Sequence, residues 1–335
     1  MKTRNIRSLT VSPIGMGCMG FSHGYGEVPE RDYAIEAIRK AHEFGCTHFD
    51  SAERYGAEQF YPGHNEEIVG EAVRNFRKDV TLATKLHVKS EELKQGKNLY
   101  EVMKGHLEQS MKHLNTDYVD LYYLHRVNEE IPMEEVADSM GRLIKEGMIR
   151  EWGLSQVSVE LLAAANEVTP VGAVQNLYSM VERDCEKDIF PYCQEHGISV
   201  VPFSPVASGF LSGKVTAQTT FEGDDVRKFV PQLSKENLEA NQPLLEILDQ
   251  FSIQKQATKA QISLAWMLHK YDNVIPIPGS KRQEHILENL GAWNVELTKN
   301  EFEQLETALS ACKVYGHRGH VETEQNNFGN NWKKK

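Results

Sequence analysis

The stretch RDYAIEAIRKAHEFGCTHFDSAERY, Arg31 to Tyr55, decides the fold of this chain. Its first part places Ile35, Ile38, His42 and Phe44 near one face of a helix over Arg31–Phe44. Gly45 stands where that helix should stop, since a helix end often needs the left-handed backbone that glycine tolerates. The run Cys46–Phe49 then reads as a strand, and Asp50 follows it directly. A helix that hands straight over to a buried strand is one unit of an alternating α/β chain.

The same alternation recurs in both directions. Strand-like runs lie at Val11–Met16, Val80–Ala83, Val119–Tyr123, Ile149–Gly153, Gly172–Val174, Ser199–Pro202 and Asn273–Ile277. Several are continuously apolar, as expected for strands covered on both faces. Amphipathic stretches separate them, at Asn65–Asn75, Glu101–Leu114, Met133–Lys145, Val159–Ala165, Glu186–His196, Thr258–His269 and Glu284–Leu290. Alternating units imply a parallel sheet with right-handed crossovers, and eight of them fit a closed (β/α)8 TIM barrel better than an open sheet. The whole chain, 1–335, reads as one barrel domain. It carries a long loop at 215–250, with Pro231 and an expected helix at Glu236–Gln250, and a tail at 313–335 rich in Gly, Asn and His.

Composition narrows the function. The formal net charge is −11, which repels polyanions, and the basic clusters are short: Lys281-Arg282 and Lys333-Lys334-Lys335. No nucleic-acid partner is expected. No segment approaches the ~20 apolar residues of a membrane span, and Met1–Thr10 lacks the apolar core of a signal peptide. The five cysteines are scattered and odd in number, which argues against a disulfide framework; no ligand spacing suggests a metal. Reduced thiols place the protein in the cytoplasm.

Gly15-Met16-Gly17-Cys18-Met19-Gly20 matches a dinucleotide fingerprint literally. That fingerprint needs a helix opening from its glycines, whereas loop chemistry follows here as far as Pro29. The better reading is a strand end whose small residues, around Met19 and Gly20, let a bound molecule approach the backbone.

Barrel chemistry sits at the C-terminal ends of the strands. Asp50 follows the second strand, Lys85 the third and His125 the fourth, with Tyr55 just past Asp50. Each alone has a plain explanation: a turn-forming Asp, a solvated Lys or Tyr, a core His. Neighbouring strand ends bring them together, and together they form a device. Tyrosine titrates near ~10 and is a weak acid at neutral pH. A buried cation favours its phenolate, so Lys85 is expected to lower the Tyr55 pKa while Asp50 balances Lys85. His125 would hold the substrate oxygen.

Phe49-Asp50-Ser51-Ala52-Glu53-Arg54-Tyr55, Ala83-Thr84-Lys85 and Tyr122-Tyr123-Leu124-His125 resemble the Asp/Tyr/Lys/His tetrad of the aldo-keto reductases. The resemblance runs from Met16 to Asn289. It implies that Tyr55 is the general acid, that Lys85 and Asp50 tune it, and that His125 positions the carbonyl. It also implies NADPH as cofactor. Ser155 and Gln175 stand where the family holds the nicotinamide amide. Phe203 takes the place of a Tyr or Trp stacked on the ring, keeping the stacking face. Ser204, Pro205, Val206, Gly209 and Leu211 would wrap the pyrophosphate, with Lys214 adding charge. After the eighth strand, Gly279 and Ser280 lead to a helix N-terminus, a natural anion site. Lys281 and Arg282 there favour the 2′-phosphate, and Glu288 and Asn289 match the adenine contacts. His285 departs from the Arg or Gln of many relatives.

The expected reaction is reduction of a small-molecule aldehyde or ketone, with Phe21 and Tyr25 lining the pocket and the tail around Tyr315 to His320 covering it. An NADPH-binding regulatory protein of the channel β-subunit type shares the tetrad and is the alternative. A Schiff-base aldolase using Lys85 is a third, disfavoured by the surrounding cofactor residues.

Overall fold

The structure is a computed structural model that describes residues 2–319 apart from Gln95 and Lys97. The Lys333–Lys335 cluster and the rest of the tail from His320 onward lie outside the described residues.

A short antiparallel hairpin comes first, β1 (Arg4–Ile6) and β2 (Leu9–Val11). The parallel sheet follows, in chain order β3 (Met16–Gly17), β4 (His48–Asp50), β5 (Thr81–Leu86), β6 (Val119–Leu124), β7 (Ile149–Ser155), β8 (Ala173–Gln175) and β9 (Ser199–Val200). Each strand pairs only with its sequence neighbours, so the sheet curls in one direction. Residues 273–279 supply the eighth stave. Ile275 and Ile277 donate to Val200 and Pro202 on one side, while Pro276 and Pro278 accept from Gly15 and Gly17 on the other. A proline has no N–H, so the stave forms only half of its ladder toward β3. The ring is closed nonetheless, by bridges Gly17↔Gly279 and Val200↔Val274. The chain folds as a (β/α)8 barrel.

Helices α1 (Arg31–Glu43), α2 (His64–Val73), α3 (Ser90–Leu93), α4 (Leu99–His113), α5 (Met133–Lys145), α6 (Val159–Val168) and α7 (Ile189–His196) cross between strands. Their starts follow local chemistry. Asn98 and Ser158 cap α4 and α6 with their side chains, and Gly197 ends α7 at φ 65°. The apolar faces of these helices and the outer faces of the strands form one large core. A second cluster fills the barrel itself: Ile6, Leu9, Val11, Ala83, Leu121, Tyr123, Ala173, Val201, Ile275 and Ile277, with Phe203 against it.

Two expectations are corrected here. The first strand was expected over Val11–Met16, but Val11 belongs to the hairpin and β3 begins at Met16. The hairpin plugs the N-terminal mouth of the barrel and buries Ile6, Leu9 and Val11 there, which removes that end as a site. The single helix expected at Glu236–Gln250 is two, α8 (Lys235–Ala240) and α9 (Gln242–Lys255). Pro243 sits in the first turn of α9, where its missing N–H costs nothing, and so starts a helix instead of continuing one. Helices α10 (Lys259–Lys270), α11 (Gln283–Gly291) and α12 (Lys299–Ala311) complete the fold.

Candidate active site

The open end of the barrel collects the strand-end residues. Asp50 ends β4, and Lys85 lies within β5, one residue before its end, where the sequence reading placed it after the strand. Both are buried, at 2% and 0% exposure. The Lys85 ammonium contacts three oxygens: it ion-pairs with Asp50, donates to the Ser51 carbonyl at 2.7 Å, and donates to the Tyr55 hydroxyl at 3.1 Å. It also lies over the Tyr55 ring, 4.9 Å from the centroid. Gln175 Nε2 donates to the second Asp50 oxygen at 2.8 Å, so both carboxylate oxygens are held. His125 stands edge-on to Tyr55, with ring centroids 5.7 Å apart.

The electrostatics correct one expectation. The Tyr55 pKa is raised, not lowered. Burial is the largest cause, and the Lys85 charge opposes it without overcoming it. Burial alone would lower the Lys85 pKa, but Asp50 and Tyr55 more than compensate and its pKa ends raised. His125 is pushed far below the usual histidine value by burial and then by Arg126, Lys85, His87 and Arg54. At neutral pH the group is therefore a protonated phenol, a charged lysine and a neutral imidazole.

Around this centre the remaining expected residues fall as follows. Ser155 is buried at the end of β7. Phe203 caps the barrel's interior cluster. Ser204 adopts φ 51° and accepts from Arg318 Nε at 3.2 Å; Gly209 adopts φ 97°. Pro205 and Val206 lie between them, and Ala207 and Ser208 follow at φ 47° and 55°. Leu211 points into the outer core, so only its backbone is available to a ligand. Met19 and Gly20 form the turn after β3, where a Cβ on Gly20 would meet the Lys281 side chain at 3.4 Å. Gly279 faces Gly17 across the stave; a Cβ on it would approach the Gly17 carbonyl to 3.1 Å.

The basic residues are already engaged. Lys281 Nζ donates to the Tyr25 and Glu27 carbonyls at 2.7 and 2.6 Å. Arg282 pairs with Glu284, and Lys214 pairs with Glu288 at 3.1 Å. Ser280 Oγ accepts from the Arg282 amide, and no side chain caps α11. The His285 pKa is lowered by burial and by Lys214 and Arg282, which makes it neutral. Asn289 is buried on the same helix.

Several residues escaped the sequence reading. Phe21, expected to line the pocket, is instead buried in the outer core; His23, two residues on, stands beside Tyr55, ring centroids 5.6 Å apart, with its Nε2 buried and without a partner among the described residues. Gln156 follows Ser155 at φ 60°, and its Oε1 is also buried without a partner among the described residues. Asn176 accepts from the Gln156 and Val157 amides and ties two loops together. Arg126, next to His125, carries no role in the sequence pattern. Positive φ at Gln156 and an orphaned polar atom are invisible to spacing arguments; adjacency to His125 was the one available signal.

A nicotinamide dinucleotide fits these features. The orphaned Gln156 Oε1 is an acceptor for an amide N–H, and the Ser208 Oγ in the turned loop is likewise buried and unpartnered.

Comparison with known proteins agrees. The model of the Aldo/keto reductase family matches residues 13–310. The probable aldo-keto reductase 1 of Glycine max is 33% identical over 311 residues, 92% of this chain and 88% of that protein. The aldo-keto reductase yakc of Schizosaccharomyces pombe, whose name specifies NADP(+), is 34% identical over 326 residues, 94% of each. The crystal structure of an aldo-keto reductase from Klebsiella pneumoniae in complex with NADPH superposes with a TM-score of 0.70 at 26% identity, covering 92% of this chain and 95% of that one. The barrel, the buried lysine beside its tyrosine and these likenesses lead to one conclusion: this chain belongs to the aldo/keto reductase family.

Proposed function

We propose that the protein is an NADP(H)-dependent reductase of aldehydes or ketones, with Tyr55 as the proton donor. The observation that carries the reading is the buried Lys85 ammonium shared between Asp50 and the Tyr55 hydroxyl.

The residues divide the work. His125, neutral, offers a hydrogen bond to the carbonyl oxygen and leaves the proton transfer to Tyr55. Tyr55 is protonated at working pH, so the acid is loaded. NADPH, when bound, supplies the hydride to the carbonyl carbon. Tyr55 Oη then gives its proton to the oxygen, the product is an alcohol, and Lys85 at 3.1 Å stabilises the phenolate left behind. Asp50 keeps Lys85 charged, and Gln175 fixes Asp50. Ser155 and Gln175, with Gln156 beside them, would receive the nicotinamide amide, Phe203 would stack on its ring, and Ser204–Leu211 with Lys214 would follow the pyrophosphate. Lys281 and Arg282 would take the 2′-phosphate; His285, being neutral, adds no charge. The NADP(+)-named yeast relative and the NADPH complex support that choice of cofactor.

Tyr55→Phe tests the assignment. Carbonyl turnover should fall by about 10²–10⁴-fold while NADPH still quenches protein fluorescence with wild-type affinity. Retained turnover removes Tyr55 from the chemistry. NADPH binding without turnover by the wild type, over a broad carbonyl panel, would favour a regulatory protein instead.

A further inference from the structure

The reductase reading leaves the substrate open, and the charges beside His125 bear on it. In a chain with 48 acidic and 37 basic residues, arginines commonly find carboxylates. Arg77 has Asp120, Arg183 has Glu186 and Glu306, and Arg227 has Asp225. Arg126 and Arg54 have none among the described residues. Arg126 is half-buried, and its Nη1 donates to the His125 carbonyl at 2.6 Å. Its Nε and Nη2 groups have no partner among the described residues. Those two N–H groups form one edge of the guanidinium, the fork that matches two oxygens of a carboxylate or phosphate. Arg54 is exposed, one residue before Tyr55, and its side chain makes neither a hydrogen bond nor an ion pair among the described residues.

Nearby acids do not answer these charges. Glu53 is engaged by the His87 amide at 2.7 Å and by His106 at 2.7 Å. Asp50 is held by Lys85 and Gln175. Asp224 and Glu58 act on His23, the other ring neighbour of Tyr55, and Asp224 is bound to the Gly24 amide. The site is thus polarised, acidic beside His23 and cationic beside His125. Both arginines reach the catalytic groups electrostatically: each disfavours charge on His125, and Arg126 also favours the Tyr55 phenolate. Holding a desolvated cation without a counter-ion is costly, and an anionic ligand relieves that cost.

We infer, on the reductase reading above, that the carbonyl substrate carries an anionic oxygen group, carboxylate or phosphate, which the Nε/Nη2 edge of Arg126 receives with Arg54 at the mouth. The carbonyl then lies at Tyr55 and His125, and the anionic end lies toward Arg126.

The test compares pairs that differ by one group: 4-oxobutanoate against butanal, and glyceraldehyde 3-phosphate against glyceraldehyde, each with NADPH and the full-length protein. At least one anionic member should exceed its neutral partner in kcat/KM by about tenfold or more, through KM, and the pair that does so identifies the group. Added salt should compress the ratio. Arg126→Gln should bring the ratio toward one, Arg126→Lys should restore part of it, and Arg54→Gln, at an exposed position with no side-chain hydrogen bond or ion pair to lose among the described residues, should lower it less. A ratio near one in the wild type for both pairs, or a ratio unmoved by Arg126→Gln, overturns the inference and leaves the reductase reading standing. No turnover of any of the four overturns both.

Discussion

The two ends of the proposed cofactor cleft hold their charges differently. At the Tyr55 end, Lys85 and Asp50 are buried, and each finds its partners inside the barrel. At the α11 end, Lys281, Arg282 and Lys214 are half-buried or exposed, and their partners are backbone carbonyls of a loop or surface glutamates. The first arrangement is costly to alter, since removing one member strands a charge in low dielectric. The second exchanges easily, because exposed ion pairs contribute ~0–1 kcal/mol and a phosphate can replace them. The charges at the Tyr55 end are locked into the barrel, whereas those at the α11 end rest in exchangeable surface contacts.

The largest expected effect strikes the buried end. Lys85→Met should cut turnover by about a thousandfold and destabilise the fold by about 3–5 kcal/mol, because Asp50 loses its counter-ion. Adding Asp50→Asn should recover much of the stability and none of the activity. Thermal melts and kcat/KM of the single and double variants separate the two roles; a double variant as unstable as the single one would mean that the pair does not govern the fold. At the exchangeable end the effects are smaller and fall on binding. Lys281→Ala should raise KM for NADPH about tenfold, with kcat near wild type, and Arg282→Ala somewhat less. KM for NADH should hardly move. An equal rise for both cofactors would show that Lys281 serves only to hold the Tyr25–Glu27 loop.

The same division governs what the sequence reveals. Asp50, Lys85, His125, Ser155 and Gln175 are legible because parallel strands in chain order put consecutive strand ends side by side, so linear spacing becomes proximity. Gly15 and Gly17 serve the barrel seam and not a Rossmann loop: a Cβ on Gly15 would strike His48 at 2.5 Å and one on Gly17 the Ile277 carbonyl at 2.9 Å, and a short turn follows, not a long helix. What escaped depends on three dimensions. Strands of three residues at Arg4–Ile6 and Leu9–Val11 carry too little pattern to separate a plug from a barrel stave. The direction of the Tyr55 shift depends on how deeply the ring is buried, which motif spacing does not encode. Gln156 acquires its place from a left-handed backbone, and Arg126 from having no carboxylate partner among the described residues.

The smallest effect tests whether the buried end is held from outside as well as from within. Glu53 lies on the loop between Asp50 and Tyr55, and His106 of α4 bridges it to Glu92 of α3 at 2.7 and 2.9 Å. Burial opposes charge on His106, but the two glutamates prevail and raise its pKa to about 9. A histidine that gains affinity for its proton on folding adds stability that is complete below its unfolded value of ~6.5 and is lost as pH rises toward its folded one. The melting temperature should therefore decline between about pH 6.5 and 9, and the partial exposure of His106 limits the change to about 2 °C. His106→Gln should remove this slope while keeping a hydrogen bond to one glutamate. If the variant and the wild type lose stability in parallel over that window, the bridge is a bystander and the Tyr55 loop is positioned by Lys85 and the strand ends alone.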